Sequence, residues 1–191
     1  WRKRLMTVLT DYQIFEAGIV TPHVAKSHAF GMSYGESSFG YDLRMDKTVK
    51  VMSQKNKKAV PTINTTMEDL STLYSTFTIP DDGVFLLKPL SRCLVSTLEL
   101  IKMPTDVVGI TKPKSTLSRL GLEVASVVIE PNWTGNITLE LFNKTDRNIA
   151  LYPGMPICQI LFWKGEEPSA VYDGKYQGDK GIAVGKVEYG E

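Results

Sequence analysis

From Gly83 onwards the chain is a succession of short apolar runs separated by turn-forming residues, and this repetition limits the fold more than any other feature. The runs contain four to eight residues each, which is the usual length of a β-strand and short for a helix. They cover residues 84–87, 93–100, 107–110, 122–129, 137–142, 149–152 and 157–163. Strands of this length and spacing predict a mainly β protein, either a sandwich or a jelly-roll-like barrel.

The rest of the chain fits one domain built around this β region. A length of 191 residues with 42% apolar content supports one sizeable core but not two, so we expect a single domain over 1–191. Residues 1–8 are interpreted as an N-terminal extension. Thr10 is a suitable N-cap for a short helix ending before Gly18, and alternating residues up to Met45 predict a strand. The polar residues 46–80 are interpreted as a variable insertion.

Charge and composition argue against several classes of partner. A formal net charge of +1 with scattered basic residues gives no surface for nucleic acid. No apolar run approaches the roughly 18 residues of a membrane span, and no signal peptide opens the sequence, so we expect a cytoplasmic protein without a membrane partner. Cys93 and Cys158 lie far apart in apolar runs, which favours buried free thiols over a disulfide.

Two polar features have the residue types needed for chemistry. The run Lys114 to Arg119 places two cations and three hydroxyls in six residues, and such a set can bind phosphate oxygens. The alternative interpretation is a solvated turn. Glu140 lies between Leu139 and Leu141, where burial of a carboxylate is costly unless another group binds it. The alternative for Glu140 is a strand with one face in water.

Four motifs in order carry a family resemblance: KSTLSRLGL, IEPNWTGNITLELFN, LYPGMPICQILF and KYQGDKG. The match is continuous from about residue 100 to 181 and returns at 9–14 and 38–44. These motifs resemble the dCTP deaminase branch of the dUTPase-like trimeric nucleotide enzymes. The resemblance implies a distorted jelly-roll or β-barrel of the dUTPase-like type with a short N-terminal helix, and a homotrimer with sites between subunits. It also implies hydrolytic deamination of dCTP, or a related deoxycytidine nucleotide, to dUTP and ammonia.

The resemblance also assigns roles to residues. Glu140 matches the catalytic carboxylate, which acts as general base and then general acid, and Ser115 and Arg119 match the residues that position the attacking water. The other implied substrate contacts are Lys114 and Thr116 along the phosphates, Glu130 at the deoxyribose, Thr138 and Leu139 at the pyrimidine edge, and Tyr172, Lys175 and Asp179 in the tail. For residues 172–191, composition alone favours a frayed terminus, whereas the resemblance implies a lid over the nucleotide.

The expected cofactor is Mg²⁺ held by the nucleotide phosphates, without zinc. Zinc-dependent base deaminases carry H-x-E and P-C-x-x-C elements, and both are missing from this sequence. The two histidines, His23 and His28, have no acidic or cysteine ligand near them in sequence and are interpreted as ordinary loop residues. No site built from protein ligands alone is therefore expected.

Three departures from the family pattern leave alternatives open. Glu130 stands where the family has Asp, Asp179 stands where it has Gln, and the segment 122–129 is about two residues shorter than usual. The shorter segment reshapes the pocket, so dCMP or a modified cytosine nucleotide is an alternative substrate. Further alternatives are a dUTP diphosphatase, a bifunctional deaminase and diphosphatase, and a non-catalytic nucleotide-binding regulatory trimer.

Overall fold

The computed structural model describes residues 6–53 and 70–186 and confirms a mainly β fold. The strands of the described ranges are β1 (Thr7–Val8), β2 (Val20–Thr21), β3 (Ser27–Ala29), β4 (Met32–Glu36), β5 (Tyr41–Met52), β6 (Tyr74–Thr78), β7 (Phe85–Leu87), β8 (Arg92–Lys102), β9 (Val107–Pro113), β10 (Leu122–Val124), β11 (Val128–Ile129), β12 (Thr134–Asn143), β13 (Ile149–Leu151) and β14 (Pro156–Lys164). The helices are α1 (Asp11–Glu16), α2 (Ser115–Arg119) and a 3₁₀ turn at Leu70–Leu73.

The N-terminal helix forms where the sequence places it. Thr10 caps α1, and its side chain accepts from the backbone of Gln13 while the Gln13 side chain accepts from the backbone of Thr10. This reciprocal pair satisfies amide groups that the first helical turn leaves free. The helix buries Ile14 and ends before Gly18, whose φ of 60° suits a residue without a side chain.

One long strand, β5, makes the sheet curl. Its first half pairs with β14, with Tyr41 opposite Ile160, whereas its second half pairs with β8, with Val49 opposite Val95. The main path of the sheet runs β10-β12-β8-β5-β14-β9-β11, so β5 joins two groups of strands. The result is a half-barrel whose apolar side chains face inward, as the dUTPase-like resemblance implies.

The core is built from the inward side chains of the long strands. Alternate residues of β12, namely Ile137, Leu139 and Leu141, are 2%, 0% and 0% exposed. Cys93 and Cys158 are also buried and carry free thiols, which confirms the prediction from their apolar surroundings. No helix in the described ranges is long and apolar enough to cross a membrane.

The structure shows how three segments interpreted from the sequence take part in the sheet. Both ends of the stretch assigned to an insertion, 46–80, belong to the sheet, because Thr48 to Met52 of β5 pair with β6; residues 54–69 lie outside the described ranges. The run 122–129 is two strands, since β10 pairs with β12 and β11 pairs with β9. Within the N-terminal extension, β1 pairs with β14, while residues 1–5 lie outside the described ranges.

Candidate active site

A cavity of about 500 Å³ lies where the C-terminal tail crosses β12, and it collects five of the predicted site residues. These residues are Glu130, Thr138, Glu140, Tyr172 and Asp179. They come from the end of β11, the outer face of β12 and the tail. The fold therefore brings together residues that are up to 49 positions apart in the chain.

Glu140 lies in the cavity because of its position on β12. Its neighbours Leu139 and Leu141 point into the core, so Glu140 points outward and is exposed in the single chain. Leu94 of β8 is directly opposite it and also lines the cavity. The carboxylate thus has an apolar wall on one side and open space on the other.

The backbone around Thr138 faces the cavity edge. Asn136 N donates to Asp179 O at 2.9 Å and Glu140 O accepts from Ala125 N at 3.0 Å, so both point away from β8. Backbone groups two residues apart on a strand point to the same edge, so the N–H and C=O of Thr138 face the gap between the tail and Ala125. Leu139, with the opposite parity, directs its backbone to β8 and its side chain into the core.

Glu130 is exposed on the opposite wall, directly after β11. Its carbonyl accepts from Trp133 N at 3.2 Å, which closes the turn into β12. Trp133 is 8% exposed and lines the cavity, and its Nε1 donates to Tyr176 O of the tail at 2.8 Å. The turn after β11 therefore fixes both a carboxylate and an aromatic wall.

The tail is docked onto the segment 131–138 of its own chain. Tyr172 N donates to Pro131 O at 3.0 Å, and Gly178 N donates to Thr134 O at 2.8 Å. The Gln177 side chain accepts from Thr134 N and donates to Asn132 O, both at 2.8 Å, and so replaces a backbone partner. The tail to residue 186 therefore lies against β12 and forms part of the cavity lining; residues 187–191 lie outside the described ranges.

The negative charge of Asp179 is offset inside the tail. Lys186 Nζ lies 2.6 Å from Asp179 Oδ1 and also donates to Lys175 O at 2.7 Å. Lys175 and Lys186 place their amino groups 5.5 and 5.4 Å from the Tyr176 ring centroid, within the range of a cation–π contact. Within the described part of the chain, the other oxygen of Asp179 is buried without a hydrogen-bond partner.

The cation and hydroxyl run lies elsewhere on the molecule. Ser115, Thr116 and Arg119 are on α2, exposed, and do not line the cavity. Lys114 precedes α2 and is largely buried, with Nζ 2.8 Å from Asp42 Oδ2 and 3.3 Å from Ser33 Oγ. In this chain its ammonium group is therefore bound to a carboxylate.

The cavity of the single chain is acidic. Glu130, Glu140 and Asp179 line it, and its lining within 6–53 and 70–186 includes no lysine or arginine. Such a surface repels the triphosphate group of a nucleotide unless cations from outside this chain are added. Two lysines of the tail, Lys175 and Lys186, lie over the Tyr176 ring.

No group of three potential metal ligands occurs in the described ranges. His23 binds Glu36 at 2.8 Å and lies against Phe15 and Tyr41, so its environment is that of a packed aromatic residue. The donors that line the cavity are carboxylates, the type that Mg²⁺ accepts, but they are too dispersed to hold the ion without phosphate oxygens.

Sequence reasoning missed the residues that dock the tail. The tail is bound by Asn136 of β12 and by Lys50 of β5. Gln177 and Lys186 belong to the tail itself and bind β12 and Asp179. Asn136 carried a usable signal, because an amide in an apolar strand needs hydrogen-bond partners. Lys50 carried none, since a lysine in a polar stretch is usually solvated.

Comparisons with known proteins identify the family. The dCTP deaminase-like family model matches residues 25–165. The dCTP deaminase of Acidobacterium capsulatum is 34% identical over 190 residues, covering 95% of this chain and 100% of the relative. That of Wolbachia sp. subsp. Brugia malayi is 34% identical over 192 residues, covering 96% and 100%.

A solved structure shows the same fold. The 2'-deoxycytidine 5'-triphosphate deaminase from Agrobacterium tumefaciens superimposes with a TM-score of 0.62 and 18% identity, over 85% of this chain. This chain spans 49% of the length of the Agrobacterium chain. Because the family model matches most of the chain and two relatives share a third of its residues over their full length, this chain belongs to the dCTP deaminase-like family.

Proposed function

We propose that this protein deaminates dCTP hydrolytically, giving dUTP and ammonia, with Glu140 as the catalytic general base and acid. The observation that carries the proposal is the place of Glu140, which points from β12 into a cavity under the tail. Membership of the dCTP deaminase-like family supports the choice of reaction and substrate.

The reaction needs one group that moves protons in both directions. Glu140 takes a proton from water as the oxygen adds to C4 of cytosine, and it returns protons to the ring and the leaving amine as the C4–N bond breaks. Water supplies the new carbonyl oxygen; one of its hydrogens goes to N3 of the ring, and the other joins the two amino hydrogens in the ammonia that leaves. The apolar wall formed by Leu94 keeps bulk water away from one side of the carboxylate.

Base and sugar recognition follows from the two walls. The N–H and C=O of Thr138 face the cavity edge, where a donor and an acceptor together distinguish an amino group from a carbonyl. Leu139 supports this edge from the core. Glu130 is assigned to the deoxyribose hydroxyl on the opposite wall, and Tyr172, Lys175 and Asp179 belong to the lid.

The active unit is proposed to be a homotrimer in which α2 of a neighbouring copy completes each site. Ser115 and Arg119 are exposed and remote from the cavity of their own chain, and the cavity needs cations. A neighbour's Arg119 supplies a guanidinium group, Ser115 a hydroxyl for the attacking water, and Thr116 a phosphate contact. Lys114, bound to Asp42, holds the start of α2 in place.

Mg²⁺ is proposed to enter with the substrate, held by phosphate oxygens, and no zinc is assigned a role. When bound, the ion neutralises phosphate charge that the acidic cavity would otherwise repel. The cytoplasmic location stays a prediction; the buried free thiols of Cys93 and Cys158 are compatible with a reducing compartment.

The direct test is Glu140→Gln, assayed for ammonia release from dCTP with Mg²⁺. Loss of the general base should lower kcat about 10²- to 10⁴-fold while nucleotide binding is retained. Glu16→Gln makes the same chemical change at an exposed position of α1 and should leave turnover unchanged. Near-normal ammonia release from Glu140→Gln would remove Glu140 from its role.

The substrate is tested by following ammonia and pyrophosphate separately with dCTP, dCMP, 5-modified dCTP and dUTP. Ammonia from dCTP in preference to the other cytosine nucleotides supports the proposal. Pyrophosphate from dUTP would add a diphosphatase activity, for which Glu130 is the available carboxylate. Activity that disappears with a zinc-selective chelator and returns only with zinc would contradict the zinc-independent mechanism.

A further inference from the structure

Three side chains from two strands hold one tripeptide of the tail. Asn136 Oδ1 accepts from Gly181 N at 3.2 Å, Lys50 Nζ donates to Ile182 O at 3.2 Å, and Thr138 Oγ1 accepts from Ala183 N at 2.8 Å. We call Lys50, Asn136 and Thr138 the tail clamp. Each of the three binds main-chain atoms, so the contacts fix the path of the tail without depending on its side chains.

Lys50 reaches the tail across the sheet. It is opposite Leu94 on β8, and Leu94 is opposite Glu140 on β12, so the three side chains project from the same face. Two strand spacings of about 4.8 Å separate the Lys50 and Glu140 backbones. The tail passes over this face, and Lys50 binds it from the β5 side while β12 binds it from the other.

Asn136 is itself held firmly. Its Nδ2 donates to Thr97 O and Glu99 O, both at 3.1 Å, at the point where the β12–β8 register is irregular. The amide therefore fills an interruption of the ladder and leaves its oxygen for Gly181. Two points of the clamp are thus set by β12, and Lys50 is the described contact that ties the tail to β5.

The clamp sets the roof of the cavity. Ala183, Val184 and Gly185 line the cavity directly after the clamped carbonyl of Ile182. Because the roof starts at that carbonyl, movement of Ile182 away from β5 opens the cavity above Glu140. Lys50 does not line the cavity itself, and by this assignment it does not touch the substrate.

We propose that Lys50 is a positioning residue for the deamination, which holds the tail closed over the nucleotide through the carbonyl of Ile182. The role in turnover rests on the proposed function, whereas the closure itself is a property of the free protein. Loss of the ammonium group lowers the fraction of molecules with a closed tail. The apparent affinity for nucleotide then falls in proportion to this closed fraction.

The closure is tested on the nucleotide-free protein by trypsin. The bond between Lys180 and Gly181 lies directly beside the clamp, and Lys180 is exposed. In Lys50→Met, cleavage of this bond, followed by mass spectrometry, should be about tenfold faster, the effect of losing one hydrogen bond from a charged donor. Lys50→Arg keeps a donor and should restore slow cleavage.

Lys47→Met is the matched control, because Lys47 lies on the same strand but makes a surface ion pair with Asp81 at 3.4 Å. Its cleavage rate at the Lys180–Gly181 bond should equal that of the wild type. Equal rates in Lys50→Met and Lys47→Met, with both proteins melting like the wild type, would overturn the proposal. A lower melting temperature in Lys50→Met without faster cleavage at this bond would also overturn it.

The kinetic test separates this inference from the proposed function. Lys50→Met should raise KM for dCTP by the factor by which the closed fraction falls, with kcat changed less than threefold, since Lys50 does not touch the reacting atoms. An unchanged KM in an active enzyme overturns the role of Lys50 and leaves the deaminase assignment standing. If the wild type releases no ammonia, the proposed function fails, and the trypsin result still decides whether Lys50 closes the tail.

Discussion

At the scale of single residues, Glu99 and Glu140 show how one sequence signal leads to two environments. Both are carboxylates between apolar residues of a strand. Glu99 points into the core, is 0% exposed, and accepts from the backbone and side chain of Arg44 at 2.8 and 2.7 Å. Glu140 has the outward parity on its strand and lines the cavity. The side of the sheet on which each carboxylate falls decides whether it is buried in an ion pair or lies in the cavity.

The buried pair predicts a large effect of removing one partner. Arg44→Met should lower the free energy of unfolding by about 3–5 kcal/mol, because it leaves the Glu99 carboxylate buried without its cation. Urea denaturation at fixed protein concentration measures the loss. Lys164→Met, which breaks an exposed pair with Asp106, should cost no more than about 1 kcal/mol. Equal losses in the two variants would show that the buried pair is no more important than a surface one.

The thiols predict a dependence on pH. Burial raises the pKa of Cys93 from 9.0 to about 12 and raises that of Cys158 still further. The native protein at pH 8 should therefore react with iodoacetamide far more slowly than the urea-unfolded protein. Since both native pKa values are raised, the native state binds more protons above pH 9 than the unfolded state, and stability should fall as pH rises past that value. Rapid native labelling at pH 8 would contradict the buried environment.

At the scale of elements, Gly121 joins α2 to β10 in a way that other residues cannot. Its φ is 86°, and a Cβ placed there would clash with Thr145 Cγ2. Its carbonyl accepts from Lys144 N at 2.9 Å, which ties the turn to the segment after β12. The orientation of α2, and with it that of Ser115 and Arg119, depends on this turn.

Gly121→Ala should therefore destabilise the fold by more than about 2 kcal/mol and reduce deaminase activity through α2. Gly154→Ala is the matched control, because Gly154 also has a positive φ, 75°, but no atom within 4 Å of the added Cβ. The control should show only the backbone cost, about 1 kcal/mol, with normal activity. Thermal unfolding and ammonia release measure both, and equal losses would mean that the Thr145 contact is unimportant.

The strands β10 and β11 are separate because the chain changes its pairing partner between them. The ladder with β12 continues to Ala125, whose N donates to Glu140 O, and then Val127 exchanges bonds with Thr111 of β9. The chain thus changes partner within two residues. The apolar run 122–129 contains no Gly or Pro that would indicate where this change falls.

At the scale of the whole molecule, the separation of α2 from the cavity leads to a complementation experiment. Glu140→Gln and Arg119→Ala should each be inactive as pure proteins. When they are co-expressed in equal amounts, sites that combine a wild-type Glu140 with a neighbour's wild-type Arg119 should restore about one quarter of wild-type activity for a random mixture. A mixture as inactive as its components would mean that both groups act from one chain, and an active monomer in sedimentation would contradict the shared site.

The sequence by itself determined the mainly β fold, the capped helix α1 and the position of Glu140 on a strand, because strand period, capping residues and motifs are local patterns. Only the tertiary structure decided which partners the polar groups have. The partners in three such contacts are up to 132 positions apart in the chain: Lys114 with Asp42, Arg44 with Glu99, and Lys50 with Ile182. Such contacts depend on how strands pair and on how the tail returns to β12, and a local pattern of residues does not specify either.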